Sequence, residues 1–286
     1  LSVQLRRLAL GVEYDGHGFF GWQRQRQSPT VQEVLETAIA SVANEQCRVH
    51  GAGRTDTGVH ARCQVAHFDS SAQRSERQWL LGINSQLPDS VVVLWVRPVS
   101  MNFHARFSAV ARSYEYLICN RLTRPALQRQ RQAWVRQALD VSSMHAAAQC
   151  LLGEHDFSSL RARGCQAASP CRRIEQIAVV RSDDLVRLHV RADGFLYHMV
   201  RNIAGTLIEI GTGARAVAEM PALLAGRDRT RAGVTAPAHG LYFQRACYSA
   251  EFGLPAECCV SDTDSHAGNG SSDRYDGQAP VTPDLS

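Results

Sequence analysis

Apolar residues recur at every second position through Leu8, Leu10, Val12 and Tyr14, which predicts a strand. Asp15-Gly16 ends it as a turn signal. Ser28-Pro29 then offers a helix cap followed by a proline in the first turn. Behind it Val31, Val34, Leu35, Ala38, Ile39 and Val42 fall on one helical stripe. Strands are expected near residues 48–53 and 64–68, separated by a glycine-flanked loop over 53–58. A short helix over 75–81 and the β-branched run at 91–96 complete a β-α-β-β-α-β order.

The plan begins again with a strand at 113–120. A helix over 144–152 follows, with Ser142 or Ser143 as cap and Gly153 as stop. Two strands are expected at 174–181 and 185–192, a longer helix over 198–210 ending at Gly211, and a last strand at 241–248. The fold class is therefore α/β in the α+β sense. Two ferredoxin-like units with antiparallel sheets, residues 4–107 and 108–253, would join around a central cleft where a site can form. From Leu254 the chain turns to Ser, Asp, Gly and Pro without apolar period, and 254–286 is expected to be a disordered acidic tail.

Composition narrows the chemistry. Apolar residues make up 44% and charged residues 20%, enough for a real core. All 31 basic residues are arginine, which excludes Schiff-base, pyridoxal-phosphate and P-loop lysine chemistry. No apolar run approaches the roughly 18 residues of a membrane span, and the first residues lack the apolar stretch of a signal peptide. Nine cysteines, an odd number without a C-x-x-C pair, point to free thiols in a reducing, cytoplasmic compartment and to no metal site. The net charge of +4 conceals an acidic tail; up to residue 253 the chain carries 30 arginines against 21 acids, which suits a polyanionic partner.

The densest candidate chemistry is Gly51-Ala52-Gly53-Arg54-Thr55-Asp56-Thr57-Gly58-Val59-His60. Glycines allow tight turns and close approach to a ligand. Arg54 and Asp56 stand two apart and would point the same way in an extended loop, so an ion pair between them is one reading. A carboxylate beside a guanidinium favours its charged form and can serve as nucleophile or base. The Asp-Thr-Gly within this stretch also occurs in aspartic proteases, but those need a second aspartate sharing the proton, and no suitable mate is present. Tyr114 and Tyr116 share one strand face beside several arginines, as core aromatics or as a stacking surface for a base. His198, Arg201 and Gly205 lie together along one helix face, where the glycine implies a close approach. Loops at 121–136 and 161–173 are rich in arginine, which suits phosphate contacts.

Taken together, these segments resemble the tRNA pseudouridine synthase A family. They are Glu13-Tyr14-Asp15-Gly16 with Phe20-Gly21-Trp22-Gln23, the 53–61 loop, Phe103-His104-Ala105-Arg106-Phe107-Ser108, Arg112-Ser113-Tyr114-Glu115-Tyr116, Phe195 to Asn202, and Gly240-Leu241-Tyr242. One departure is Thr57, where the family usually has alanine. The resemblance implies isomerisation of uridine to pseudouridine at positions 38, 39 and 40 of the tRNA anticodon stem-loop, by a homodimer and without cofactor or metal. It implies Asp56 as nucleophile and Arg54 in the place of the flipped-out base. Tyr114 would stack on the uracil and help to remove a proton, Arg201 would pair with Asp56, and Leu241 would line the pocket. The alternative is a non-catalytic RNA-binding protein on the same fold, which leaves the glycine-framed loop without a purpose. A carboxylate glycosidase would need a second acid as partner, and none stands out.

Overall fold

The computed structural model describes residues 4–26 and 28–258. Strand β1 (Arg6–Tyr14) is buried on both faces between β3 (His60–Ser70) and β4 (Val91–Val99), so it is an interior strand rather than a half-exposed one. Helix α1 (Val31–Ala43) is capped by Thr30, whose hydroxyl accepts the Glu33 N–H; the expected Ser28 cap lies too far upstream. Helix α2 (Glu76–Asn84) opens on a reciprocal capping box between Ser75 and Gln78. The strand expected at 48–53 shrinks to β2 (His50–Gly51), because the chain turns early into the glycine-framed loop.

The second half starts with β5 (Ala111–Asn120), joined by the short β6 (Ala133–Val135). Helix α3 spans Val141–Gln149 and is capped by Asp140, which accepts the N–H groups of both Ser142 and Ser143. The two serines thus lie inside the first turn, where the aspartate outcompetes them as cap. Gly153, at φ +89°, opens β7 (Gly153–Asp156), and β8 (Cys171–Ser182) and β9 (Leu185–Ala192) follow. Helix α4 (Met199–Gly211) matches its expected span, α5 (Glu219–Gly226) was not foreseen, and β10 (Leu241–Cys247) is the last strand.

All ten strands form one mixed sheet in the order β4-β1-β3-β10-β5-β9-β8-β7, with β2 on β3 and β6 on β5. Most pairings are antiparallel; β10 runs parallel to β3 and β6 parallel to β5. The C-terminal strand therefore sits at the seam. It sets Tyr242 opposite His60 on one side and Leu241 opposite Tyr116 on the other. Leu241 and Phe243, two apart on one face, enter different hydrophobic cores. The first core gathers Leu35, Ile39, Phe68, Trp79 and Ile83 with Phe243 and Tyr248. The second gathers Tyr116, Ile118, Met144, Phe157, Ile203 and Leu207. Burying each such side chain contributes about 1.5–3 kcal/mol, so β10 couples the stability of both halves at the place where the cleft opens. Leu254 and Cys258 are buried in the first core, so the expected disorder does not begin at 254; the tail from 259 on lies outside the described residues.

Candidate active site

The loop between β2 and β3 is fixed along its whole length. The Ala52 N–H donates to Val65 O at 2.8 Å, and Gln64 Nε2 donates to Gly53 O at 2.7 Å. The buried Thr55 shares a 2.8 Å hydrogen bond with the Tyr14 hydroxyl, and its carbonyl accepts the Trp22 N–H at 3.1 Å. The Gly58 N–H reaches Phe19 O at 3.3 Å, and the Val59 N–H closes on Asp56 O at 3.1 Å. Gly21, at φ +85°, packs so closely that a Cβ there would stand 2.5 Å from Thr55 O. The 13–16 and 20–23 segments are thus the bed on which the Asp56 loop lies, which explains why they accompany it in the sequence.

Asp56 points at the N-terminus of α4. Its Oδ2 lies 3.2 Å from Arg201 Nη1 and 3.3 Å from His198 Nε2. The two side chains of the ion pair are 15% and 23% exposed, which leaves the carboxylate reachable while its partner is largely dehydrated. The expected pairing of Arg201 with Asp56 is formed, whereas Arg54 and Asp56 make no ion pair. Arg54 is exposed and extends the other way, its Nη1 donating to Gln166 Oε1 at 3.3 Å on the far side of the cleft. Arg201 is itself held, with Nε donating to Ala236 O at 2.8 Å while the Ala236 N–H returns to Arg201 O at 3.1 Å. Gly205 allows this, because a Cβ there would lie 1.8 Å from Val234 O. The close approach expected at that glycine is the 233–236 segment crossing the helix. The positive end of the α4 dipole adds to the field at the carboxylate.

His198, which sequence reasoning placed on the Arg201 face without giving it a role, caps α4 with φ +58° and ψ 8°. Burial lowers its pKa, opposed by the Asp56 charge and reinforced by Arg201 and Arg229. Tyr114 is half-buried and held edge-on between Phe195 (4.9 Å, 78°) and Phe243 (5.1 Å, 82°). A Cβ on Gly53 would sit 3.7 Å from its phenol oxygen, so the bare glycine leaves the hydroxyl facing the loop. Burial raises the phenol pKa well above its ordinary value, with Tyr14 and Asp56 adding to the rise and Arg112 opposing it. Tyr116 is a core residue whose hydroxyl donates to Pro237 O at 2.8 Å, and Leu241 is buried opposite it. Arg112 ties the site together, donating to Ala52 O (3.4 Å), Ala109 O (3.2 Å), Asp193 O (2.9 Å) and Arg106 O. Its burial lowers its pKa.

The arrangement brings a carboxylate oxygen, a neutral phenol and an aromatic wall together. Among the described residues no group of three or more His, Cys, Asp or Glu side chains could hold a metal ion.

Comparison with known proteins gives the same direction. A tRNA pseudouridine synthase family model matches residues 11–108 and 147–249. The chain is 51% identical over 257 residues to a Xylella fastidiosa protein named tRNA pseudouridine synthase A, covering 90% of this chain and all of that one. A Xanthomonas euvesicatoria protein of the same name is 53% identical over 253 residues, covering 88% and 98%. A solved Cbf5–Nop10–Gar1 complex holds a chain 14% identical, with TM-score 0.34 over 89% of this chain and 53% of that one, a likeness too loose to carry any inference. By the family model and by these relatives, the chain belongs to the tRNA pseudouridine synthase A family.

Proposed function

We propose that this protein converts uridine to pseudouridine in tRNA, at positions 38, 39 and 40 of the anticodon stem-loop, acting as a cytoplasmic homodimer. The observation that carries the reading is the Asp56 carboxylate, fixed in its loop, facing Arg201 across the cleft and reachable from outside. The reaction breaks the bond from uracil N1 to ribose C1′ and forms one from C5 to C1′. The C5 proton leaves and N1 gains one, so every other atom is retained and no oxidant, reductant or acyl donor enters. Asp56 serves this by attacking C1′, by taking a ribose proton or by adding to the base.

Tyr114 supports the base-holding role. Its ring is locked by two aromatic edges and its phenol stays protonated, so it is a stacking wall and hydrogen-bond donor at rest, and becomes a proton acceptor only if a stronger base relays the proton onward. The detached uracil must turn without escaping, which a walled cleft favours. The target nucleotide has to leave its stack, at a cost of a few kcal/mol. Arg54, exposed at the rim, is the side chain to fill the vacated place and offset part of that cost. Leu241 lines the pocket floor beside Tyr116. The arginine-rich loops at 121–136 and 161–173 supply phosphate contacts.

The test is to incubate the purified protein with unmodified tRNA, digest it and analyse the nucleosides, mapping the modified positions by reverse-transcription stops after carbodiimide treatment. Pseudouridine confined to 38–40 is expected. Binding without pseudouridine, or modification elsewhere, overturns the corresponding part of the reading.

A further inference from the structure

We infer that His198 is a positioning residue for Asp56: together with Arg201 it holds Oδ2, so that Oδ1 is the oxygen presented to the substrate. The inference rests on the isomerase reading above and adds a residue and an atom to it.

Both contacts converge on one atom. Arg201 Nη1 stands 3.2 Å from Oδ2 and His198 Nε2 3.3 Å from the same oxygen. Among the described residues nothing hydrogen-bonds Oδ1. A carboxylate oxygen can only accept, so Nε2 carries the ring proton and Nδ1 is bare. Nδ1 makes no hydrogen bond among the described residues, so the polar part of this ring is committed to Asp56 alone. The charged groups facing the ring are Asp56 from the loop, Arg201 from α4 and Arg229 from the 229–231 turn. Two of these three are cationic and disfavour a second proton, consistent with a neutral donor that orients the carboxylate without adding a full positive charge to it.

The backbone makes the same point. His198 sits in the left-handed region at φ +58°, where a residue other than glycine is disfavoured. Glycine or asparagine would cap this helix with less strain, and His198 makes no side-chain capping bond in return. A fold-only role does not explain an imidazole here; a polar contact beside Oδ2 does. The Tyr197 ring, with its centroid 3.9 Å from that of the imidazole, covers the ring and limits its rotation. With Arg201 bonded to Oδ2 and His198 Nε2 standing beside the same oxygen, that oxygen is engaged and Oδ1 is the carboxylate oxygen left to bond to the substrate.

The experiment compares wild type with His198→Gly and His198→Gln in single-turnover pseudouridine formation at saturating tRNA, beside tRNA binding and thermal melting. His198→Gly relieves the backbone strain and removes the donor. It is expected to melt no lower than wild type and to bind tRNA equally, but to react about 10- to 100-fold more slowly, the cost of losing a polar contact that orients the carboxylate. His198→Gln restores an N–H at comparable reach and should recover most of that rate. A glycine variant as fast as wild type overturns the inference. So does a glutamine variant as slow as glycine, or a loss confined to tRNA binding. If wild-type protein itself forms no pseudouridine, the isomerase reading fails first, and the histidine is not what failed.

Discussion

Two aspartates in this molecule each meet one histidine and one arginine, yet among the described residues only one of them keeps an oxygen without a hydrogen bond. Asp15, at the end of β1, has its Oδ1 3.0 Å from His60 Nδ1 and its Oδ2 2.8 Å from Arg131 Nη2, and Oδ1 also accepts the His17 N–H at 3.0 Å. His60 is almost wholly buried; its Nδ1 accepts the Gly16 N–H at 3.0 Å, its Nε2 donates to Gln130 O at 2.9 Å, and its ring stacks on Tyr242. Both carboxylate oxygens are occupied, Oδ1 by the His17 N–H and Oδ2 by Arg131, and His60 and Arg131 both meet the 128–132 segment, so the trio is a clasp between the two halves. Asp56 has the same three residue types, but its two partners share one oxygen and leave the other bare. Residue identity is thus a poor guide to which acid reacts. What distinguishes them is how many of the carboxylate's lone pairs the fold has already used.

The largest effect should come from exchanging each aspartate for asparagine. Asp56→Asn removes the proposed nucleophile or base and should lower single-turnover pseudouridine formation by at least about 10³-fold, with tRNA binding retained. Asp15→Asn should leave the rate within about threefold and instead lower the melting temperature, because it removes partners from a half-buried clasp. Near-normal turnover in Asp56→Asn, or a collapse of rate without loss of stability in Asp15→Asn, would reverse the assignment of the two sites.

The next effect tests whether the Asp56 site depends on how Arg201 is held. In Gly205→Ala the new methyl would meet Val234 O at 1.8 Å, and backbone cannot yield cheaply. The 233–236 segment must shift, taking Ala236 O away from Arg201 Nε. Alanine gains about 1 kcal/mol of helix propensity, but the overlap costs about 1–3 kcal/mol, so a net loss of stability is expected. The single-turnover rate should fall by about 10-fold or more as the guanidinium loosens. A variant that melts lower but reacts normally would show that Arg201 keeps its place without Ala236.

How far this contrast was legible in the sequence differs between its parts. The glycine-framed loop, the Arg201 face and the close approach at Gly205 all leave local signatures: turn residues, helical spacing, a glycine where alanine would be preferred. The short helix expected over 75–81 is formed as α2, one turn longer at its end. What could not be read is tertiary. His198 reaches Asp56 from 142 positions away in the chain, and neither the neighbourhood nor the spacing of either residue announces the other. For the same reason the Arg54–Asp56 ion pair, plausible from two-residue spacing, gave way to Arg201. The short strands β6 and β7 are defined by their partners rather than by any apolar period of their own. Helix α5 carries a proline near its start and no side-chain cap, which hid it.

Acid gives a smaller and graded way to separate the clasp from the site. Burial alone would raise the Asp15 pKa, but the His17 N–H, the Arg131 hydrogen bond and the charges of His60 and Arg131 outweigh it and leave it below 3.8. An acid whose pKa is depressed on folding stabilises fully above its unfolded value, and that contribution is lost as pH falls through the folded value. Melting temperature should therefore drop as pH falls below about 3.8, and the drop should be shallower in Asp15→Asn, which has no proton to gain. Parallel curves for the two proteins would mean that other acids govern this range.

Thr57 should give the smallest effect, and it tests how sharply the reactive region is bounded. The residue follows Asp56, is exposed, and its hydroxyl makes no hydrogen bond among the described residues. The loop is held instead through Thr55, Asp56 O and Gly58, none of which needs the Thr57 side chain. Thr57→Ala also installs the residue usual in the family. Stability should change by no more than about 0.5 kcal/mol, the ordinary range for an exposed position. The single-turnover rate should stay within about threefold, since Oδ2 remains held and Oδ1 free. A tenfold change in rate with unchanged melting would mean that the threonine hydroxyl meets the bound nucleotide. The open side of Asp56 would then extend one residue further along the loop than the two contacts on Oδ2 define, and the contrast with the fully occupied Asp15 would lie in the neighbouring loop residue as well as in the count of free lone pairs.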